Sequence, residues 1–220
     1  MIQFSNVSKF YDEQIVLKNI SFNVEKGDLV YLTGPSGAGK TTLLKLIYRA
    51  EHPDEGQILV AGWDVAKLRQ KTIPFLRRNV GIVFQDFRLL PNKTAFDNIA
   101  IALRIQGLDS RLINEKVNDA LNDVGLKHKS HALSQHLSGG EQQRVVIGRA
   151  MVSKPTVVLA DEPTGNLDAE TADIVIKLFK EINARGTTVL IATHNRELFM
   201  SSGRRVIFLR DSAIEKDMIP

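Results

Sequence analysis

The stretch GPSGAGKTT, from Gly34 to Thr42, constrains what this chain can fold into more than any other. It fits the pattern G-x-x-x-x-G-K-[ST], with Gly34, Gly39, Lys40 and Thr41 in register. The apolar run DLVYLT precedes it and the helix-forming run TLLKLIYR follows, so the sequence predicts strand, loop, helix. Glycines at that junction let the backbone curl until successive N–H groups face one point, and the helix start adds positive potential there. The chemistry this serves is phosphate binding. Pro35, Ser36, Gly37 and Ala38 complete the cradle, Lys40 is expected to reach the β- and γ-phosphates of ATP, and Thr41, followed by Thr42, to ligate Mg²⁺.

A strand feeding such a loop belongs in a parallel sheet, and short β-branched runs supply the rest of one. DLVYLTG, NVGIVFQ, TVVLADE, TTVLIATH and RRVIFLR each end in polar or glycine-rich sequence, as strands buried on both faces do. Ligands bind at the carboxyl ends of such strands. The run VVLADE therefore places two acids where a nucleotide-bound metal needs one: Asp161 is the expected metal ligand, and Glu162 the expected general base for in-line attack by water. The first quarter differs. IQFSNVSKFY, IVLKNISFNVEKGD and GQILVAGWDV alternate apolar and polar residues between turns, which predicts an antiparallel β layer. From Pro91 to Pro155 helical spacing takes over, in TAFDNIAIALRI and SRLINEKVNDALNDVGL. The expected organisation is a single domain over 1–220, with a core lobe of 1–90 and 156–220 and a helical lobe of 91–155 inserted into it.

Length and composition agree with one soluble unit. The chain has 220 residues, 43% hydrophobic and 25% charged, with a net charge of +4 and no cysteine. That excludes disulfides, thiol nucleophiles and cysteine-based zinc sites, and fits a reducing compartment. No apolar run approaches the ~20 residues of a membrane helix, and the opening MIQFSNVSKFYDEQ lacks the features of a signal peptide, so any membrane role is expected to come through a partner. His128, His131 and His136 lack a nearby carboxylate or cysteine at metal-ligand spacing and read as a polar linker.

LSGGEQQRVVIGRA, from Leu137 to Ala150, is a second helix start suited to an anion. Ser138 and Glu141 have the spacing of a capping box, and Gly139 and Gly140 leave the first-turn amides open. Lacking a lysine in its glycine turn, it is poorly built to hold a triphosphate alone. If it closes on a nucleotide held by residues 34–42 of a second copy, both cradles are used in a two-fold interface.

With the upstream loop, LSGGEQQ resembles the ATP-binding cassette (ABC) ATPases over essentially the whole chain. The resemblance implies an α/β fold of the P-loop NTPase, ABC ATPase type: a mostly parallel core sheet, an antiparallel β layer and an inserted helical subdomain. It also implies an ATP-dependent homodimer in which the signature residues Ser138, Gly139, Gly140 and Glu141 are supplied in trans. Further residues follow in the family's order. Tyr11 would stack on adenine, Gln85 would be a further catalytic residue and Mg²⁺ ligand that senses the metal and the partner, Asp168 of GNLD would couple the two sites, and His194 would hold the γ-phosphate and attacking water. Two positions depart from the family: Glu141 stands where Gln is commoner, and Asn195 where Asp is frequent.

Within the family, IPFLRRNVGIVFQDFRLL is similar to the cell-division ATPases. That implies an FtsX-like integral membrane partner, peripheral association with the cytoplasmic face of the inner (plasma) membrane, and regulation of cell-wall hydrolysis. LADEPTGNLD is shared with lipoprotein-release and macrolide-type export ATPases, which stand as the alternative. Nucleic acid is not an expected partner, since there is one cassette and no long coiled-coil insertion. Lys67, Arg69, Lys71, Arg77 and Arg78 form a positive stripe beside Gln85, open to a membrane partner, to anionic lipid or simply to solvent.

Overall fold

The computed structural model describes residues 1–200 and 202–220. Along the chain, β1 (Ile2–Tyr11), β2 (Gln14–Val24) and β3 (Leu29–Thr33) lead through the phosphate loop into α1 (Lys40–Ile47). There follow β4 (Glu55–Val60), β5 (Trp63–Asp64), α2 (Ile73–Arg78) and β6 (Val80–Val83). A helical stretch holds α3 (Ala95–Ile105), α4 (Ser110–Asp123), short 3₁₀ turns at Lys127–Lys129 and Ser134–His136, and α5 (Gly139–Met151). The chain finishes with β7 (Val157–Asp161), α6 (Ala169–Ala184), β8 (Thr188–Ala192), α7 (Glu197–Met200), β9 (Arg205–Arg210) and β10 (Ala213–Met218).

Two sheets result. β2-β1-β4-β5 is antiparallel, and β10-β9-β3-β8-β7-β6 is parallel except for the β9/β10 hairpin. Successive strand side chains point to opposite faces, and here both faces are buried. Val30 and Leu32 of β3, Val157 and Leu159 of β7, and Leu190 and Ala192 of β8 pack with α1 and the antiparallel layer. Their alternates, Leu29 and Tyr31, Val158 and Ala160, Val189 and Ile191, pack with α3, α4, α5 and α6. The helical stretch thus shares one apolar cluster with the central sheet. This α/β arrangement is the expected fold class. It brings the carboxyl ends of β3, β7 and β8 to one edge, where the phosphate loop, Asp161, Glu162 and His194 begin.

The C-terminal residues, which carried no assignment from sequence, form β10. Arg205 fixes it there, donating from Nε and Nη2 to the two carboxylate oxygens of Asp217 at 2.7 and 2.6 Å and from Nη1 to the Asn23 carbonyl at 2.6 Å. One guanidinium thereby joins β9, β10 and β2.

Candidate functional site

The helix behind the phosphate loop has been left electrically bare. Each of the other helices longer than two turns has a side chain accepting from its first-turn amides: Thr94 on α3, Asp109 on α4, Ser138 on α5 and Asp168 on α6. α1 has none, and no acid in its first turn. Its free amides and dipole are available to an anion. Gly39 occupies the cap position with φ 94°, and a Cβ there would stand 2.7 Å from Leu17 Cδ2 and 2.9 Å from the Val16 carbonyl, so β2 can lie against the loop only because this residue is glycine. Lys40 is buried, its ammonium donating to the carbonyls of Gly34 at 2.8 Å and Pro35 at 3.0 Å.

Facing the loop, Asp161 ends β7. Burial raises its pKa above the ordinary carboxylate value and neighbouring Glu162 adds to the effect, while the Thr41 side chain and the ammoniums of Lys40 and Lys45 oppose it. Glu162 takes a left-handed backbone conformation, φ 46°, and its amide donates to the Ala192 carbonyl of β8 at 2.8 Å. Such a conformation in a residue with a side chain costs about 1 kcal/mol or more and is concentrated at functional sites. Its result is visible: Glu162 Oε1 lies 2.8 Å from His194 Nδ1. A carboxylate only accepts, so Nδ1 is the donor in this bond.

Pro35 to Thr42, Gln85, Asp161, Glu162 and His194 line a single cleft of about 590 Å³, together with Val16, which the sequence did not single out. Gly34 stands behind it, its carbonyl turned to Lys40. Tyr11 is outside this lining: it closes the β1/β2 hairpin opposite Gln14, 37% exposed, with the Lys9 ammonium 5.2 Å from its ring centre.

The signature residues are also outside the cleft of their own chain. Ser138 caps α5, accepting from the Glu141 amide at 3.3 Å, while Glu141 Oε2 accepts from the Ser138 amide at 2.9 Å, which is the capping box read from the spacing. The other Glu141 oxygen accepts from the Lys129 ammonium. Gly140 has a reason beyond open amides: a Cβ there would be 2.2 Å from Thr171 Cγ2. Thr171 is itself held by Asp168, whose carboxylate accepts from the Thr171 amide and hydroxyl, both at 2.9 Å; these bonds hold Asp168 below its ordinary pKa.

Further links were not foreseen. Gln143, one turn into α5 and buried, donates to the Pro163 carbonyl at 2.7 Å, immediately after Glu162, and its Oε1 has no partner among the described residues. A polar residue four positions before Ile147, on the buried face of α5, was the available signal. Arg149, whose burial lowers its pKa, donates to the Arg88 and Phe87 carbonyls at 2.7 and 3.0 Å, fixing the loop after Gln85. The positive stripe is less free than its composition implies. Lys67 pairs with Asp64 at 3.2 Å, and Arg77 spends its donors on the Tyr48 and Arg49 carbonyls at the end of α1.

This geometry agrees with what the chain resembles. The family model described as ABC transporter matches residues 17–165. The cell division ATP-binding protein FtsE of Bacillus subtilis (strain 168) is 49% identical over 218 residues, covering 99% of this chain and 96% of that protein. The protein of the same name from Escherichia coli (strain K12) is 47% identical over 212 residues, with 96% of each covered. Among solved structures, the post-hydrolysis dimer of the ATP-binding cassette MJ0796, bound to ADP and phosphate, superposes with a TM-score of 0.90 at 32% identity, covering 100% of this chain and 98% of that one.

Proposed function

The chain belongs to the ABC transporter family and is an ATPase, and from that premise we propose that two copies close head to tail around two MgATP. The movement drives a conformational change in an FtsX-like integral membrane protein during cell division and thereby regulates cell-wall hydrolysis. What supports the dimer is the separation within one chain: a cleft lined by the phosphate loop, Asp161, Glu162 and His194 on one side, and a signature helix start, Ser138 to Glu141, that does not line it. The near full-length likeness to cell division ATP-binding proteins supports the biological role.

In this reading Lys40 and the loop amides from Gly34 to Thr42 hold the β- and γ-phosphates, and Tyr11 stacks on adenine. Thr41, Gln85 and Asp161 are an oxygen donor set suited to Mg²⁺; a half-buried carboxylate such as Asp161, whose pKa burial raises, would gain from a cation. Among the described residues no group of three or more acids, histidines or cysteines could hold a metal alone, so phosphate oxygens and water would have to complete the set. Held there, Mg²⁺ would supply positive charge to offset what develops on the phosphate oxygens. Glu162 takes a proton from water as its oxygen bonds to the γ-phosphorus and the bond to the β–γ bridging oxygen breaks, releasing ADP. His194, held by Glu162 through Nδ1, orients that water and the γ-phosphate. Ser138, Gly139, Gly140 and Glu141 close from the second chain, and Asp168 couples the two sites.

No described helix is long and apolar enough to cross a membrane. The proposed place is peripheral, at the cytoplasmic face of the inner membrane through the partner. The test is to extract tagged Glu162→Gln protein from native membranes in mild detergent with MgATP. Removing the base is expected to slow hydrolysis about 10²–10⁴-fold and to accumulate an ATP-dependent dimer with an FtsX-like protein attached. Wild-type turnover removes Glu162 as base. Recovery of a lipoprotein-release or macrolide-type export permease preserves the mechanism and overturns the division role.

A further inference from the structure

Glu141 presents a difficulty for any reading in which its helix receives phosphate. A carboxylate at the mouth of an anion site repels the ligand, and closure of a second chain over it would take that charge out of water, where repulsion grows. The carboxylate is already mostly covered: its side chain is 14% exposed, one oxygen accepts from the Ser138 amide and the other from Lys129. Lys129 is held in place for this role. It ends the 3₁₀ turn Lys127–Lys129, its amide donates to the Leu126 carbonyl at 2.9 Å, and the residues that follow it are pinned to the start of α3 by Phe96 N to Ser130 O at 3.0 Å and Ala95 N to Ala132 O at 2.9 Å. As a fold-stabilising contact the pair is unremarkable, because a partly exposed lysine–glutamate bridge contributes about 0–1 kcal/mol. Its place explains it better than its strength does.

We infer that Lys129 is a positioning residue for the signature site: it neutralises Glu141 and holds its carboxylate back on the Ser138 amide, so that the α5 terminus presents amides and hydroxyl, without net negative charge, to the triphosphate on a second copy of this chain. The inference rests on the head-to-tail dimer of the proposed function. Lysine supplies the charge that the glycine turn itself lacks, from a segment eight residues upstream of Leu137, which makes the signature an anion site assembled from two pieces of sequence.

The charge reading and a merely structural pair differ in sign. If the pair only braces the fold, Lys129→Gln and Glu141→Gln break the same ion pair and weaken the dimer alike. If Lys129 acts by compensation, Lys129→Gln leaves a bare carboxylate and Glu141→Gln leaves a bare ammonium facing the triphosphate. The experiment is sedimentation velocity in the Glu162→Gln background across a range of MgATP. Lys129→Gln is expected to weaken dimerisation on the order of tenfold, more at low salt than at high; Glu141→Gln to strengthen it; and the double variant to return it close to the parent. Lys129→Arg keeps the charge and should rescue. Equal losses from both single changes, or no recovery in the double variant, overturn the inference. Failure of the Glu162→Gln parent to dimerise at any ATP concentration overturns the sandwich itself, a result recognisable before any Lys129 variant is made.

Discussion

In the proposed site, the placement of Asp161 favours function over stability. Burial raises its pKa, so the folded state prefers the protonated acid. For an acid with a folded pKa above its unfolded one, stability is greatest while the group is protonated and is lost as pH rises through the folded value. At neutral pH without nucleotide the charged carboxylate therefore works against the fold. Asp161→Asn is expected to melt higher than wild type under those conditions, to gain less from added MgATP, and to hydrolyse ATP at least about a hundredfold more slowly. Thermal denaturation with and without MgATP checks this; a lower melting temperature for the variant contradicts it. Lowering pH should likewise weaken Mg²⁺-dependent nucleotide binding before ordinary carboxylates begin to titrate.

At the scale of elements, α5 is where the two ends of the chemistry meet. Its first turn carries the signature, Gln143 holds the carbonyl after Glu162, and Arg149 holds the loop after Gln85. Gly140 sets how closely α5 approaches α6. Alanine there would gain about 1 kcal/mol of helix propensity, yet its Cβ would meet Thr171 Cγ2 at 2.2 Å, and overpacking of that kind costs about 1–3 kcal/mol. Gly140→Ala should therefore lower stability in urea denaturation, and Thr171→Ser, which deletes Cγ2 but keeps the hydroxyl that donates to Asp168, should restore most of the loss. A variant as stable as wild type would show that the two helices separate freely. The same elements mark how far the sequence could be read. Strands ending in glycine or acids, the phosphate loop and the Ser138–Glu141 box were legible because each is defined by neighbours in the chain. β10 was not, because it is fixed by Arg205 of β9, which bonds Asp217 on β10 and the Asn23 carbonyl on β2. Gln143 and Lys129 were not, because their partners lie 20 and 12 residues away, at Pro163 and Glu141, and only packing brings them together. The carbonyl contacts of Arg77 were not legible for the same reason: its acceptors, Tyr48 and Arg49, are far upstream.

In the proposed reading, one molecule carries both halves of a nucleotide site and cannot join them. The phosphate cleft lies at the edge where β3, β7 and β8 end, and the signature at the start of α5 lies outside its lining. This has a genetic consequence. In the proposed dimer, a chain crippled at Lys40 still offers an intact signature, and a chain crippled at Ser138 still offers an intact cleft. Lys40→Ala and Ser138→Arg proteins, each inactive alone, are expected to complement when mixed: half the dimers of an equal mixture are hybrids, each with one sound site, which is about a quarter of the wild-type number. ATP turnover by the mixture measures it. Recovery near that level means each site fires by itself, and silence means that one damaged allele disables its healthy counterpart, so that such mutations would be dominant.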